Sequence, residues 1–540
     1  MKHIYYIALI ASLCSSDFIP ENNQSLNYTQ VFFSWPQIPN QELYTFIISD
    51  NQDFAASDTT QIISNSILYN ELLDWGTTYF WKTCGEDMTE ECLPSKSFTI
   101  NSLPPYHADQ ITINQLDENQ YKDGINILDF ESLGYSLAID KYGQPIWFTE
   151  KDNFHMDQII VTQFLDNGNL VGFSNGRGYE FTLDGEIVFE TPTDYSVHHQ
   201  ISKTDNGTYF FIDAEIEYHD CPLECDEFFS FFPIPWQGDR YIEIDSSGTL
   251  IWDWNTFDHI SLNEYNPYYA ETYNGVLEFD WTHSNSLLYD EASGAVYVSI
   301  RNLSRITSID YLTGGVNWNL GESDYMETPD FEDEINFSQQ HSAQLTPEGN
   351  LIFFDNARYQ DPQHSRCVEV GFDGGEPYLI WEHVLSEDMF TGSRGECDRL
   401  SNGNSLISAG RTGNVIEVNS DNEIVWHLSV HNSGVDVSIY RTERVINLFP
   451  SIFSFELEDI SGDYNGYTVN NDGSLELSIY NHGWGINGYQ YSLYNELDEL
   501  IVDGSINEDS DIIDISLDLS NHSIENGSFY TLSINPINNE

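Results

Sequence analysis

Residues 337–356, FSQQHSAQLTPEGNLIFFDN, place a histidine, His341, just before a tight turn and an apolar strand. The same frame carries a histidine at two other places in the chain. His199 and His341 each lie eight residues before the turn glycine, and His283 lies eleven before its own, with a longer turn. Equivalent positions converge when repeats stack around an axis. The pattern therefore predicts that three histidines distant in sequence meet in one site.

The turn glycine and the strand after it recur six times, and each copy is followed by a strand, a polar turn and a strand that usually ends in an aromatic residue. Each copy holds enough strands for one four-stranded blade, and almost no stretch has a sustained helical period. We therefore predict an all-β fold with a six-bladed β-propeller over residues 105–446. The first halves of the copies are GYSLAID, GNLVGFS, GTYFFID, GAVYVSI, GNLIFFD and GNSLISA.

The segments on either side of the repeats alternate apolar and polar residues between turn clusters, as antiparallel sandwiches do. Residues 20–103 resemble a fibronectin type III sandwich, and Trp35, the strand of Tyr44 and the later TTYFWK strand carry that resemblance. Residues 447–540 are predicted to form an Ig-like β-sandwich. We expect these flanking domains to act as docking or spacer modules without chemistry of their own.

The charge of the chain is extreme, with a formal net charge of -70 from 88 Asp plus Glu against 18 Lys plus Arg. Such a surface argues against nucleic acid or an anionic membrane as a partner. It suits a saline medium, in which salt screens the self-repulsion. A site for an anionic substrate must therefore build its own positive field, which makes each cationic residue informative.

The N-terminus and the cysteines both favour export. Residues 1–16 combine one early lysine, a short apolar run of signal-peptide length and small residues after it, and no later stretch is apolar enough to span a bilayer. We expect a periplasmic or secreted bacterial protein. Without Cys14, six cysteines remain, and their spacing predicts disulfides in an oxidising compartment. The expected pairs are Cys84–Cys92, Cys221–Cys225 and Cys367–Cys397.

Three histidines with an arginine, Arg301, at one end of a propeller fit a metal site, an anion site or an acid, base and nucleophile cluster. A guanidinium beside the ligands would oppose a cation, so we expect no metal and no cofactor. A tetrahedral anion fits better, because arginine offers a planar fork of donors to its oxygens. The aromatic loop FFSFFPIPW at residues 228–236 is interpreted either as a stacking wall for a phenyl ring or as a rim anchor.

The chain resembles the bacterial arylsulfate sulfotransferases that need no nucleotide sulfate donor. The resemblance rests on His283 with Asn285 two residues later and Arg301 eighteen later, on the earlier HH pair, and on QHSAQLTPEGNLIFFDN. It implies ping-pong transfer of a sulfuryl group between phenols through a sulfohistidine on His341. His199, His283 and Arg301 would then hold the sulfuryl oxygens and handle the phenolic proton. The implied substrate-binding residues are Asn285, Asn356 and His198, which could take the place of His199, and the contact from the last blade stays open between Ser405, Ser408 and Arg411.

Two readings from other classes remain open on the sequence alone. A secreted propeller that binds a ligand without catalysis needs only the fold, whereas the enzyme needs the histidines to converge. A quinoprotein-like oxidoreductase has a similar strand-turn-Trp repeat, but those proteins have eight blades, and six copies count against it. The expected partners are a phenolic sulfate donor and a phenolic acceptor, and a homodimer is compatible with the sequence.

Overall fold

The computed structural model describes residues 3–7, 18–86, 92–105, 107–149, 159–331, 335–463, 466–471, 474–508, 510–522, 524 and 528–538. The fold is almost entirely β, as the repeats predicted. The chain divides into two compact units. One comprises residues 105–165 and 169–446, and the other comprises residues 1–104, 166–168 and 447–540. Both flanking segments thus belong to one unit, and their separation into two domains stays a prediction.

The unit of residues 105–165 and 169–446 contains six antiparallel sheets, which we number 1 to 6, and each is built around four strands. Sheet 1 takes its first strand from the end of the unit and the other three from the beginning. From first to fourth strand, the sheets are: sheet 1, Ile439–Val445, Ile125–Phe130, Tyr135–Ile139, Pro145–Phe148; sheet 2, Ile160–Phe164, Leu170–Ser174, Arg177–Phe181, Ile187–Glu190; sheet 3, Val197–Lys203, Tyr209–His219, Ile234–Ile244, Leu250–Asn255; sheet 4, Ser284–Asp290, Ala295–Ile300, Arg305–Asp310, Val316–Gly321; sheet 5, His341–Leu345, Leu351–Asp355, Arg366–Asp373, Glu376–Val384; sheet 6, Glu396–Arg399, Ser405–Ser408, Asn414–Val418, Ile424–Asn432.

The first strands of the six sheets contact one another in a closed cycle, from sheet 1 through sheets 2 to 6 and back to sheet 1. Burial falls outward in sheet 5: all five residues of its second strand, Leu351–Asp355, are buried, whereas all but one of the residues of its fourth strand, Glu376–Val384, are exposed or half-buried. The apolar strands that follow the turn glycines therefore form the interior of this unit, which explains their composition.

In sheets 1, 3 and 6, a tryptophan of the fourth strand ties one sheet to the next. The indole N–H of Trp147 in sheet 1 donates to the Leu183 carbonyl in the turn of sheet 2. Trp252 donates in the same way from sheet 3 to sheet 4, and Trp426 donates from sheet 6 to sheet 1. A buried indole needs a hydrogen-bond partner, so these positions couple packing between sheets to the turn geometry.

The register predicted for the first repeat copy is wrong. GYSLAID contains the third strand of its sheet, Tyr135–Ile139, whereas the corresponding segment of the other five copies contains the second. The true equivalent is GINILDF, Gly124 followed by the strand Ile125–Phe130. The shift arises because sheet 1 receives its first strand from the far end of the unit. Gly124 and the strand after it are therefore not preceded in sequence by the first strand of their own sheet, as the turn glycines of the other five sheets are.

Helices are short and lie between strands. The described α-helices are Thr256–His259 and Pro267–Thr272, and the 3-10 turns are Glu131–Leu133, Glu227–Phe231, Ser323–Tyr325, Glu387–Met389 and Gly410–Thr412. Short edge strands complete two sheets: Phe279–Asp280 pairs in sheet 3, and Gln110–Leu116 and Val435–Asp436 pair in sheet 6.

The other unit is also built of β-sheets, which are antiparallel except for the parallel pair Gln24–Leu26 and Lys96–Ile100. Its N-terminal part has a buried aromatic core that includes Trp35, Trp81 and Phe46. The sheets of this part are Gln24–Leu26, Lys96–Ile100, Thr78–Gly85, Tyr44–Ser49, Asp58–Ile62, and Val31–Ser34 with Ser66–Tyr69. Those of the C-terminal part are Phe453–Leu457, Ser474–Asn481, Ile512–Asp518; Leu500–Ile506, Ile486–Asn495, Tyr530–Asn538; and Ile460–Asp463, Gly466–Asn471, His3–Ile7.

All three predicted cysteine pairs are disulfide-bonded, so that prediction is confirmed. Cys14 and most of the predicted signal peptide lie outside the described residues, and of that segment the structure gives only the strand His3–Ile7. In the part of the chain that is described, no helix is both long and apolar enough to cross a membrane.

Candidate active site

The three histidines lie at the same place in sheets 3, 4 and 5, where the first strand begins. The pairing of the first and second strands shifts register close to each of them, which marks a bulge. His199 and His283 have φ angles of 59° and 50°, and the neighbours of His341, Gln339 and Ser342, are also left-handed. Non-glycine residues rarely adopt this conformation and cluster at functional sites when they do. The bulges redirect the imidazoles away from the regular pleat.

The histidines converge on one cavity of about 760 Å³. Four groups named as catalytic from the sequence line it, namely His199, His283, His341 and Arg301, and His198 joins them. The rings of His199 and His283 lie 4.8 Å apart between centroids. Three sheets therefore each contribute an imidazole to a single pocket.

The imidazole of His341 is held by both of its nitrogens. Nδ1 lies 2.7 Å from Oδ1 of Asn356 and 3.2 Å from the Gln339 carbonyl. The Asn356 amide is itself oriented, because its Nδ2 donates to the carbonyls of Thr391 and Arg394 at 2.8 Å each. Its oxygen must then accept from His341, which places the proton on Nδ1. The lone pair of Nε2 is left to accept a 3.2 Å hydrogen bond from the Arg394 backbone N–H.

The electrostatics keep two of the imidazoles neutral. Burial, together with the charge of Arg301, holds the pKa of His341 well below its usual value near 6.5. Burial and the adjacent His283 and His198 likewise hold the pKa of His199 well below its usual value. A neutral imidazole is the nucleophilic form, so His341 keeps a free electron pair at neutral pH.

Two carboxylates support the other histidines. Nε2 of His198 lies 3.1 Å from Oδ1 of the buried Asp239, and Nδ1 of His198 lies 2.7 Å from Nδ1 of His199. Nδ1 of His283 lies 2.7 Å from Oδ2 of Asp280. Burial acts to raise the pKa of Asp280, but the adjacent His283 outweighs it, and the pKa is lowered. His198 therefore links His199 to Asp239, while His283 forms a direct pair with a carboxylate.

Arg301 follows the second strand of sheet 4 and is only 6% exposed. It donates to the Tyr269 hydroxyl at 3.0 Å, to Oδ1 of Asn302 at 2.9 Å and to the Gly392 carbonyl at 3.3 Å. Its Nε is buried without a partner among the described residues. A guanidinium fixed by neutral acceptors keeps its full charge for a ligand.

Two of the predicted substrate-binding residues lie behind the cavity wall. Asn285 is fully buried and donates to the Gln340 carbonyl at 2.7 Å. Asn356 orients His341, as described above. Of the three residues considered for the last sheet, Arg411 lines the cavity. Ser405 accepts instead from Arg399, and Ser408 is buried at 1% exposure.

Of the two interpretations of FFSFFPIPW, the stacking wall is not supported, because none of residues 228–236 lines the cavity. Phe228, Phe231 and Phe232 point to solvent, and Phe229 packs on Tyr273. The aromatic groups on the cavity wall are Phe173, Phe390 and Tyr440. Sequence analysis also missed Arg394, which pairs with Glu131, and Arg358. A signal for one of these was present, because GNLIFFDNAR and GNSLISAGR carry an arginine shortly after the repeat strand, as GAVYVSIR does.

Among the residues that the structure describes, no group of three or more His, Cys, Asp or Glu side chains is arranged to hold a metal ion. The site is instead an array of hydrogen-bond donors, neutral imidazoles and guanidinium groups, which is the chemistry of anion recognition.

A family model described as arylsulfotransferase (ASST) matches residues 106–441. The chain belongs to the arylsulfotransferase family. The match spans all six sheets and every cavity residue named above, and it confirms the resemblance drawn from the histidine motifs. Family membership supports aryl sulfotransferase activity in general terms, with small phenolic molecules as substrates.

No curated protein matches the chain significantly. Solved structures that align with it are distant in sequence. A protein of unknown function from Bacteroides caccae is 10% identical and aligns over 60% of this chain and 99% of its own, with a TM-score of 0.38. A streptogramin B lyase is 9% identical over 62% of this chain and 98% of its own, with a TM-score of 0.35. A virginiamycin B lyase from Staphylococcus aureus is 10% identical over 59% of this chain and 88% of its own, with a TM-score of 0.31.

Proposed function

We propose that this protein transfers a sulfuryl group from a phenolic sulfate ester to another phenol, through a covalent sulfohistidine at His341 and without a nucleotide donor. The observation that carries the proposal is the fixed tautomer of His341, with Nδ1 donating to Asn356 and the Nε2 lone pair left available beside Arg301. This arrangement suits a nucleophile, because the attacking nitrogen must be unprotonated and must be held in place beside the group that it attacks.

In the first half-reaction, the Nε2 lone pair of His341 attacks sulfur and forms the N–S bond. The S–O bond to the phenol breaks, and its electron pair leaves with the phenolic oxygen. His283, whose Nδ1 is held by Asp280, supplies the proton for that oxygen. In the second half-reaction, the acceptor phenol returns a proton to His283 and attacks sulfur, which restores the His341 lone pair.

Arg301 and His199 hold the sulfuryl oxygens during both steps. Charge on these oxygens rises as the S–O bond loosens, and a buried guanidinium stabilises it. The Arg394 backbone N–H, which lies 3.2 Å from Nε2, can turn to a sulfuryl oxygen once that nitrogen is bonded to sulfur. The phenyl ring would lie against Phe173, Phe390 and Tyr440.

We further infer that the six sheets are the blades of a six-bladed propeller, closed by Ile439–Val445 as the first strand of sheet 1. The cyclic contacts of the first strands and the indole hydrogen bonds from sheet to sheet support this. The disulfides support a periplasmic or secreted location. The flanking unit is assigned no chemistry.

The proposed activity is tested with 4-nitrophenyl sulfate as a chromogenic donor, with and without added phenol. We expect nitrophenolate release that rises with the acceptor and survives dialysis against a chelator. H341N should abolish turnover, whereas the same substitution at an exposed histidine of the other unit, H522N, should leave it intact. Turnover by H341N would exclude the sulfohistidine, and full loss on chelation restored by one transition metal would favour a metalloenzyme.

A further inference from the structure

The cavity contains more positive charge than a monoanionic aryl sulfate requires. Four arginines line it, Arg301, Arg358, Arg394 and Arg411, against one carboxylate on the same wall, Glu131. Glu131 is already paired with Arg394. In a chain with 18 Lys plus Arg and 88 Asp plus Glu, such a local excess of guanidinium groups stands out.

Three of these arginines lie at the same end of neighbouring sheets, because Arg301, Arg358 and Arg411 fall in the connections between the second and third strands of sheets 4, 5 and 6. They differ in depth: Arg301 is buried, Arg358 is half-buried and Arg411 is exposed. Exposure therefore increases from Arg301 to Arg358 to Arg411. Arg301, the most buried of the three, acts through its charge on His341.

The outer two arginines have no carboxylate partner within ion-pair distance among the described residues. Arg358 lies 5.7 Å from the ring of Tyr268, and only the backbone N–H of Arg411 has a recorded hydrogen bond, to Thr391. Burial and the neighbouring charges of Arg394, Arg301 and Arg358 lower the pKa of Arg411, a sign of mutual repulsion. An anionic ligand would relieve this repulsion.

Sheet 2 provides an internal comparison. Arg177 is the first residue of its third strand, lies off the cavity and is 3.0 Å from Glu190. The arginine at this end of sheet 2 therefore has a carboxylate partner. Arg358 and Arg411 line the cavity, and neither has a carboxylate partner among the described residues.

We propose that the natural substrate carries a second anionic group, a carboxylate or a further sulfate, which Arg358 and Arg411 bind while Arg301 holds the sulfuryl group. The inference rests on the proposed function in assigning Arg301 to the sulfuryl group. The competing explanation is general attraction: the outer arginines would only draw any anion past the strongly acidic surface. The two explanations predict different effects on affinity: under specific binding, Arg358 and Arg411 strengthen the binding of dianions alone, whereas under general attraction they strengthen the binding of every anion.

The test is equilibrium binding of inert sulfonates, in which sulfur is bonded to carbon and cannot be transferred. Benzenesulfonate, benzene-1,3-disulfonate and 3-sulfobenzoate are titrated by calorimetry into the full chain at fixed ionic strength. We expect the disulfonate to bind at least about tenfold tighter than benzenesulfonate. Tighter binding of 3-sulfobenzoate than of the disulfonate would identify the second group as a carboxylate, and tighter binding of the disulfonate would identify it as a sulfate.

The variants R358Q and R411Q should each weaken the disulfonate by about five- to tenfold and leave benzenesulfonate within about twofold. R177Q, which removes one charge between the second and third strands of sheet 2 and off the cavity, should change neither affinity. R411K should give an intermediate loss, because it keeps the charge and loses the planar fork. The proposal would be overturned if R358Q and R411Q weakened benzenesulfonate as much as the disulfonate. It would also be overturned if the parent protein bound the two ligands with equal affinity.

Binding needs no transfer, so the two proposals fail separately. A chain that binds the disulfonate in this pattern but transfers no sulfuryl group would overturn the proposed function and keep the arginine assignment. A chain that transfers sulfuryl groups but does not prefer dianions would do the reverse.

Discussion

At the scale of single residues, Asn356 sets which nitrogen of His341 carries the proton. Replacing it with alanine removes the acceptor of the Nδ1 proton, so part of the His341 population would present a protonated Nε2 to the donor. We expect N356A to lower kcat by on the order of a hundredfold while KM changes little. The measurement is steady-state transfer from 4-nitrophenyl sulfate to phenol.

The control for N356A is N350A. Asn350 precedes the strand Leu351–Asp355, which Asn356 follows, and its Nδ2 donates to Glu369 rather than orienting a histidine. N356D keeps an acceptor for Nδ1 and should recover part of the lost rate. If N350A and N356A are equally slow, or N356D is no better than N356A, the loss reports stability rather than the tautomer.

The depressed pKa of His341 gives a pH dependence with a definite sign. Protonation at Nε2 removes the nucleophile, and because burial lowers the pKa well below 6.5, protonation begins only at low pH. An ordinary imidazole would be about three-quarters protonated at pH 6. The initial rate with 4-nitrophenyl sulfate, a donor whose leaving group needs little protonation, should therefore stay within about twofold between pH 7.5 and 6. A rate that halves near pH 6.5 would contradict this assignment.

At the scale of elements, the Cys367–Cys397 disulfide joins the third strand of sheet 5 to the first strand of sheet 6. Both cysteines are fully buried, and the bond closes a segment with a sequence separation of 30. Replacing both with alanine should lower the free energy of unfolding by about 2–4 kcal/mol, because the unfolded chain regains loop entropy.

The Cys221–Cys225 bond provides the matched comparison, since its separation is only 4 and the entropy it removes is smaller. Urea unfolding followed by tryptophan fluorescence measures both losses. We expect removal of the Cys367–Cys397 bond to lower the free energy of unfolding more than removal of the Cys221–Cys225 bond does. The opposite order would show that these bonds do not stabilise the protein through loop closure.

The strands and turns explain what sequence could predict. Glycine turns before apolar runs marked the second strand of five sheets, because burial fixes the composition of that strand. They failed in sheet 1, where Gly124 precedes the true second strand and the first strand comes from the other end of the unit. The histidines were found because each lies at or close to the start of a first strand, at a similar distance before the turn glycine. Arg394 was not, because it lies in a connection outside the repeat strands and its place depends on tertiary structure.

At the scale of the whole molecule, the net charge of -70 should make stability depend on salt. Repulsion between carboxylates disfavours the compact state, and the screening length falls from roughly 10 Å at 0.1 M salt to about 3 Å at 1 M. We expect Tm to rise on going from about 0.1 M to 1 M NaCl. If Tm rose equally in sucrose of matched osmolality, or did not change with NaCl, self-repulsion between carboxylates would not be what limits stability.

The central claim is that His341 becomes covalently sulfurylated. The direct measurement is to mix the protein with phenyl sulfate in the absence of an acceptor, quench in alkali, and map the modified peptide by mass spectrometry. The account predicts one added sulfuryl group on the peptide containing His341, lost again when phenol is added before the quench, and no such group in H341N. A label on His283 or His199, or sulfuryl transfer by H341N, would contradict it.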